Sequence, residues 1–269
     1  MLRSHEIYEA AIELGTLRLR KGAYATAISA LIGGMYATLG GVISLTIVAL
    51  MLQFTGSQPF AWFCGSLAYP ISYLFVVLGK SELFSENFLH PVLAVWEKNL
   101  AHKSIIRLWG VGFLFNMIGV GLMTGLIWFS DLLGSHNLLG PQIIDQFIRM
   151  AETTMDEPFW PFIWKAIFAG LFLNLMSWLI LACEQDISRF IVIWLTTSPI
   201  MLLQTHHSVV GSSEILLGIF HGADVSTLQW AYGFLIPVAI GNHIGGVMFV
   251  TSLHFLQQFI HRRDWPDAE

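Results

Sequence analysis

Two short polar runs interrupt apolar sequence, and they hold most of the side chains able to do chemistry there. The first, Gly79-Lys80-Ser81-Glu82-Leu83-Phe84-Ser85-Glu86-Asn87, puts two carboxylates and an ammonium between Val76-Val77-Leu78 and Phe88-Leu89. The second, Gln204-Thr205-His206-His207-Ser208, continues through Gly211-Ser212-Ser213-Glu214 before Ile215-Leu216-Leu217. His207 offers an imidazole, which titrates near physiological pH and is moved across that range by small changes in its surroundings. His206 is next to it but would point differently. Lys80 either draws anions toward the run or pairs with Glu82, Glu86 or Glu214, and charges inside a membrane favour pairing. Lys165 either lures anions or snorkels from the end of its apolar stretch, and His243 and His254 read as packed histidines.

The elements that must position these groups follow from composition. Of 269 residues, 55% are hydrophobic and only 12% charged, about half the charged share of a soluble domain. The charges collect in breaks between apolar stretches of bilayer-spanning length, so the chain reads as a polytopic membrane protein. A net charge of -5 with no Lys/Arg-dense tract excludes a nucleic-acid partner. Cys64 and Cys183 lie inside apolar stretches without CxxC spacing and read as packed thiols. Residues 1–22 carry Arg3, Glu6, Glu9, Glu13, Arg18, Arg20 and Lys21, lack the pattern of a cleaved signal, and predict an interfacial amphipathic helix.

Six spans are expected, near Ala23 to Phe54, Phe60 to Trp96, Leu108 to Trp128, Phe159 to Cys183, Phe190 to Phe220 and Leu228 to Phe259. Six crossings put both termini on one side. Arg3, Arg18, Arg20, Lys21, Lys98, Lys103, Arg107, Arg189, Arg262 and Arg263 share that side against Arg149 alone, which makes the termini, including the tail 261–269, cytoplasmic. The connection from Ser130 to Glu157 then faces out, with Trp160 and Trp164 anchoring its return.

The second and fifth spans are too long for straight crossings and hold the two polar runs, so they read as broken helices. Irregular backbone at membrane depth must be buried in protein or line a wet cavity, and both breaks therefore point to a pathway. Asn116-Met117-Ile118-Gly119 in the third span echoes Asn242-His243-Ile244-Gly245 in the sixth. Three spans followed by three more gives an inverted repeat, about 23–130 and 158–260, whose substrate site lies where the breaks meet. The fold class is an all-α membrane protein with six transmembrane helices in a 23–260 pore domain.

With these residues in hand, the chain resembles the formate/nitrite transporter family along essentially its whole length. The Ser81-Glu82-Leu83-Phe84-Ser85 run is similar to that family's second-span loop, usually ending Leu-Phe-Thr, and His207-Ser208 to its fifth-span loop. Gly170-Leu171-Phe172-Leu173-Asn174 in the fourth span and Gly241-Asn242 with Gly245-Gly246 in the sixth complete the order. The chain departs at Ser85 for Thr, which keeps a hydroxyl, at His206 for Glu, at Gly211 for Asn, and at Lys80 for a position that is often small. These changes suggest a divergent bacterial branch. The resemblance implies an aquaporin-like protomer, a homopentamer in the bacterial inner membrane, and in each protomer a pore for small monovalent anions or their acids. By family position, Tyr69 and Ile200 would narrow the outer entrance, and Tyr73, Leu83 and Phe84 the inner one.

A narrow apolar pore opposes an anion, because burying an unpaired charge is costly, and the cost falls if the anion becomes its neutral acid midway. His207 is the expected proton donor, with Ser85 facing it from the other repeat and Asn174 holding the broken backbone. No cofactor or metal is called for. The main rival is a membrane haem or quinone redox subunit using His90, His207, His243 or His254. It needs paired histidines at similar depth on facing helices, and His90 and His207 come nearest to that. A serine protease lacks a Gly-x-Ser-Gly run here, and a water channel lacks the Asn-Pro pair its loops need.

Overall fold

The computed structural model describes residues 3–133 and 138–264, and every regular element among them is helical. Helices satisfy their own backbone polar groups, the requirement that lipid imposes on a spanning segment. In chain order they are α1 (Ser4–Arg20), α2 (Ala23–Thr55), α3 (Gln58–Ala68), α4 (Ile71–Leu78), a 3-10 turn (Phe84–Glu86), α5 (His90–Lys98), α6 (His102–Leu133), α7 (Pro141–Met155), α8 (Phe159–Leu181), α9 (Asp186–Leu202) and α10 (Ser208–Phe220). The last helix runs from α11 (Thr227–Gln229) through α12 (Ile236–Gly246) to α13 (Ser252–Asp264), with π-helical turns at Trp230–Leu235 and Val247–Thr251. Five helical stretches are long and apolar enough to cross a bilayer: Ala23–Thr55, Gln58–Leu78, His102–Leu133, Phe159–Leu181 and Thr227–Arg263. Ser208–Phe220 is apolar but shorter.

Two helix pairs set the frame, α2 against α6 and α8 against α12. Both rely on glycine for close approach. A Cβ at Gly34 would overlap the Asn116 carbonyl, and one at Gly170 would overlap the Asn242 carbonyl. Small residues let helix backbones meet where lipid gives no hydrophobic drive for association. The main core then fills around Leu45, Tyr73, Leu83, Leu173, Ile200 and Val210.

Two segments hold more than the sequence indicated. The N-terminal helix expected from sequence is α1, and it packs its buried face, with Tyr8, Ala11, Ile12 and Gly15, onto α5, a partner that the sequence did not indicate. Gly15 carries no side chain and so lets α1 settle against the backbone of His90 and Pro91. The connection expected between Ser130 and Glu157 contains α7, started by Pro141 after Gly140. Its Phe147 and Ala151 are buried, and the helix packs on α10 and α2. The period was present in Ile143, Ile144, Phe147, Ile148, Ala151 and Met155. Residues 134–137 of that connection, residues 1–2 and residues 265–269 of the tail lie outside the described residues.

The contact between α8 and α12 gives a test. Gly170→Val forces a side chain into the Asn242 backbone, and the expected result is loss of folded protein on size exclusion in detergent, whereas Gly110→Ala, with open space around it, leaves the elution profile unchanged.

Candidate functional site

Helix α4 stops at Leu78 and α5 begins at His90; α9 stops at Leu202 and α10 begins at Ser208. The two interruptions are built alike. Each helix end turns through a left-handed non-glycine residue, Lys80 and Gln204, both at φ 51°. Ser81 N–H donates to the Val76 carbonyl, and Thr205 N–H to the Ile200 carbonyl, while their hydroxyls donate to the same two oxygens. One asparagine then ties each freed strand. Asn116 Oδ1 accepts from Phe84 N–H at 2.8 Å, and its amide donates to the carbonyls of Ala30 at 2.6 Å and Glu82 at 3.0 Å. Asn242 Oδ1 accepts from Ser208 N–H at 2.9 Å, and its amide donates to the carbonyls of Ala166 at 2.7 Å and His206 at 2.9 Å. In this correspondence Leu83 and His207 occupy equivalent places.

His207 sits at the start of α10, 1% exposed, where its Nδ1 accepts from Val210 N–H at 3.2 Å and caps the helix. That bond leaves Nε2 as the protonated nitrogen, and Nε2 lies 2.6 Å from Ser85 Oγ. The Ser85 carbonyl accepts from Asn174 Nδ2 at 3.1 Å. The Tyr73 ring is set edge-on 5.7 Å from the imidazole, and the Tyr73 hydroxyl bonds that of Tyr69 at 3.4 Å. Ser85, His207, Asn174 and Tyr73 are thus brought together in the interior.

Two cavities lie in this part of the molecule; His207 lines the first, and Glu86, next to Ser85 in sequence, lines the second. One, about 220 Å³, is lined by Trp62, Tyr69, Glu157, His206, His207 and Glu214 with Met150 and Thr154 of α7. The other, about 560 Å³, is lined by Arg18 and Lys21 of α1 together with Lys80, Glu82, Glu86, His90 and Arg189. Glu82 does not pair with Lys80: it lies 3.3 Å from Lys21 Nζ and 3.8 Å from Arg18 Nε. Lys80 is exposed and makes no ion pair among the described residues. Leu83 and Ile200 are fully buried and line neither cavity. The Phe84 ring is set 4.9 Å from those of Phe88 and Phe113, and its N–H is held by Asn116.

Lys165 neither snorkels alone nor stands free, since Nζ lies 2.8 Å from both Glu157 oxygens. His206 Nε2 reaches the same carboxylate at 3.1 Å and its ring lies 4.6 Å from that of Phe162. Burial pushes the Glu157 carboxyl up, but the His206 and Lys165 hydrogen bonds and charges outweigh it and hold the group below the usual carboxylate range. Glu157 and Glu214 are the site residues that sequence spacing did not single out as lining groups. Glu214 stood in the polar run, but nothing in its spacing distinguished a cavity wall from an ion pair. The remaining histidines are occupied separately: His90 Nε2 with the Ser177 carbonyl at 3.3 Å, His243 between Phe88 and Trp109, and His254 stacked 3.8 Å from Trp178.

Comparison with known proteins follows this geometry. The family model described as formate/nitrite transporter matches residues 5–256. The inner membrane protein YfdC of Escherichia coli (strain K12) is 28% identical over 260 residues, covering 95% of this chain and 79% of that protein. A solved structure of an FNT family ion channel superposes with a TM-score of 0.83 at 19% identity, covering 94% of this chain and 99% of that one. A pentameric formate channel with formate bound superposes with a TM-score of 0.71 at 17% identity, covering 88% and 98%.

Two outcomes are expected. Asn242→Ala leaves the Ser208 amide and the His206 carbonyl unpaired and lowers stability by about 3 kcal/mol, as does Asn116→Ala through the Phe84 amide and the Glu82 carbonyl, read as thermal midpoint of the purified protein. The Glu157 contribution is complete above the ordinary carboxylate value of 4.5 and is lost as pH falls through its depressed folded value. Glu157→Gln therefore narrows the stability gap to the native protein at acid pH, measured as the midpoint difference between mildly acidic and strongly acidic buffer.

Proposed function

This chain belongs to the formate/nitrite transporter family, whose members are transporters and channels rather than enzymes, and on that premise we propose that it conducts small monovalent anions or their conjugate acids through a pore in each protomer. The pore runs from the cavity beneath α1, past Leu83, Ser85, His207 and Tyr73, to the cavity beneath α7. The chain crosses the membrane six times as two inverted repeats, about 23–130 and 158–260, with the second and fifth crossings broken at the two polar runs. Five copies assemble around an axis, as the pentameric formate channel does. The setting is a bacterial inner membrane with both termini cytoplasmic, so the α1 cavity is the inner one and the α7 cavity the outer one.

The observation that carries this reading is the imidazole capping α10 with its Nε2 2.6 Å from the Ser85 hydroxyl, His207 lining one cavity and Glu86, next to Ser85 in sequence, the other. The amino end of a helix favours negative charge, and half-helix amino ends in broken spans are where transporters hold anionic groups. The matching Asn116 and Asn242 clamps support the repeat. A lone anion in this apolar waist would cost several kcal/mol. A proton passed by way of His207 removes that cost, and Ser85 orients the anion by hydrogen bonding. Lys80 attracts anions into the inner cavity, and Lys165, through Glu157, fixes the outer rim. Tyr69 and Ile200 narrow the outer entrance, and Tyr73, Leu83 and Phe84 the inner one.

His207→Asn tests the reading. Expected is an assembled oligomer whose anion uptake into proteoliposomes has lost the wild-type pH dependence; an unaltered pH profile sinks the relay role. Ser85→Thr keeps the hydroxyl and is expected to keep uptake, while Ser85→Ala lowers it about tenfold, as loss of a roughly 1.4 kcal/mol hydrogen bond would.

A further inference from the structure

The imidazole at the waist is not a store of protons. Because Val210 N–H occupies Nδ1, the neutral ring has one hydrogen, on Nε2, directed at Ser85 Oγ. A neutral imidazole gives that hydrogen away only when another proton reaches the opposite nitrogen. The proton that neutralises an anion must therefore be held elsewhere.

Glu214 is placed to hold it. It lies two turns along α10 from His207, is 4% exposed, and lines the same outer cavity as His207. Its carboxyl makes no hydrogen bond or ion pair with any described residue. The groups facing it from each neighbouring element are few. Tyr69, just past the end of α3, and Tyr73 of α4 present hydroxyls, α2 presents Gly41, and α7 presents Met150, Thr153 and Thr154. The Trp230–Leu235 turn presents Phe234. Glu86 on the 3-10 turn lines the inner cavity, and His221 at the far end of α10 is bonded to Asp131 of α6. The other carboxylate of the outer cavity, Glu157, already has Lys165 and His206. No cation among the described residues answers Glu214, so its ionised form is costly by itself and repels any anion that enters.

We propose that Glu214 is the proton-loading residue of the outer cavity, taking a proton from the outer solution and delivering it by way of His207 to the anion of a weak acid. The assignment rests on the anion-conduction reading above. In the step the Glu214 O–H bond breaks and water of the shared cavity carries the proton to His207 Nδ1, which gives up its bond from Val210 N–H to take it; Nε2 releases its proton and a new O–H bond forms on the anion. Water then removes the Nδ1 proton as another returns to Nε2, Val210 N–H caps Nδ1 again, and outer water reloads the carboxylate. One proton moves with each anion, and no net charge crosses.

The test uses the full chain in proteoliposomes with a trapped pH dye and sodium formate as probe. Wild type is expected to move one proton per formate, with uptake falling as outer pH rises. Per formate moved, Glu214→Gln is expected to carry about tenfold fewer protons with a flattened pH profile, and Glu214→Asp to keep both. A wild-type ratio and profile in Glu214→Gln overturn this assignment alone. A wild type that moves no formate, or moves monovalent cations instead, overturns the anion reading and the assignment with it. If Glu214→Gln does not assemble, Glu214→Met is measured in its place. Infrared spectra of Glu86→Gln supply a further check: a protonated-carboxyl stretch at neutral pH is expected, and its absence overturns the proposal.

Discussion

A backbone interrupted at membrane depth has no water to fall back on, and the rest of this structure is arranged around that fact. Both breaks free N–H and carbonyl groups that would cost several kcal/mol each in hydrocarbon. One asparagine per break answers most of that demand, Asn116 for the run at Glu82–Phe84 and Asn242 for the run at His206–Ser208. Each asparagine reaches its break only because glycines let α2 lie on α6 and α8 lie on α12 at backbone contact. The tight helix crossings and the polar interior are thus one requirement met twice.

The two halves share this scaffold but not their chemistry. Leu83 and His207 occupy equivalent places, so one break offers the waist a greasy side chain and the other an imidazole. The cavities differ in the same way. Arg18, Lys21, Lys80 and Arg189 surround the one beside α1 alongside Glu82 and Glu86, whereas Glu157 and Glu214 mark the one beside α7. The lining is mainly basic on the α1 side and acidic on the α7 side, an asymmetry between the two cavities. Helix α1 contributes to it directly, because its basic end covers Glu82 and frees Lys80 from that role.

Much of this was legible from residue order. The apolar spans, the two polar runs and the Asn-x-Ile-Gly echo mark the helices, the breaks and their clamps. His207, Ser85 and Asn174 stood out by type and place, and the structure gathers them into one cluster. Legibility failed where a side chain's direction depends on what lies across a gap. Lys165 and His206 read as separate groups, yet both converge on Glu157. Helix α7 had the apolar period of a packed helix, but it fell in a connection and its partner faces on α10 and α2 come from distant sequence.

By itself, the sequence determined that the chain lives in a bilayer, where it breaks its helices, and which polar side chains it commits to the interior, since apolar length, breakers and charge placement are properties of order along the chain. Only the tertiary structure decided which of those side chains meet. That Val210 takes the Nδ1 of His207, that Ser85 takes its Nε2, and that Glu214 is left without an ion pair among the described residues are matters of distance and direction. They are fixed when helices far apart in sequence close to contact, and no local spacing encodes them.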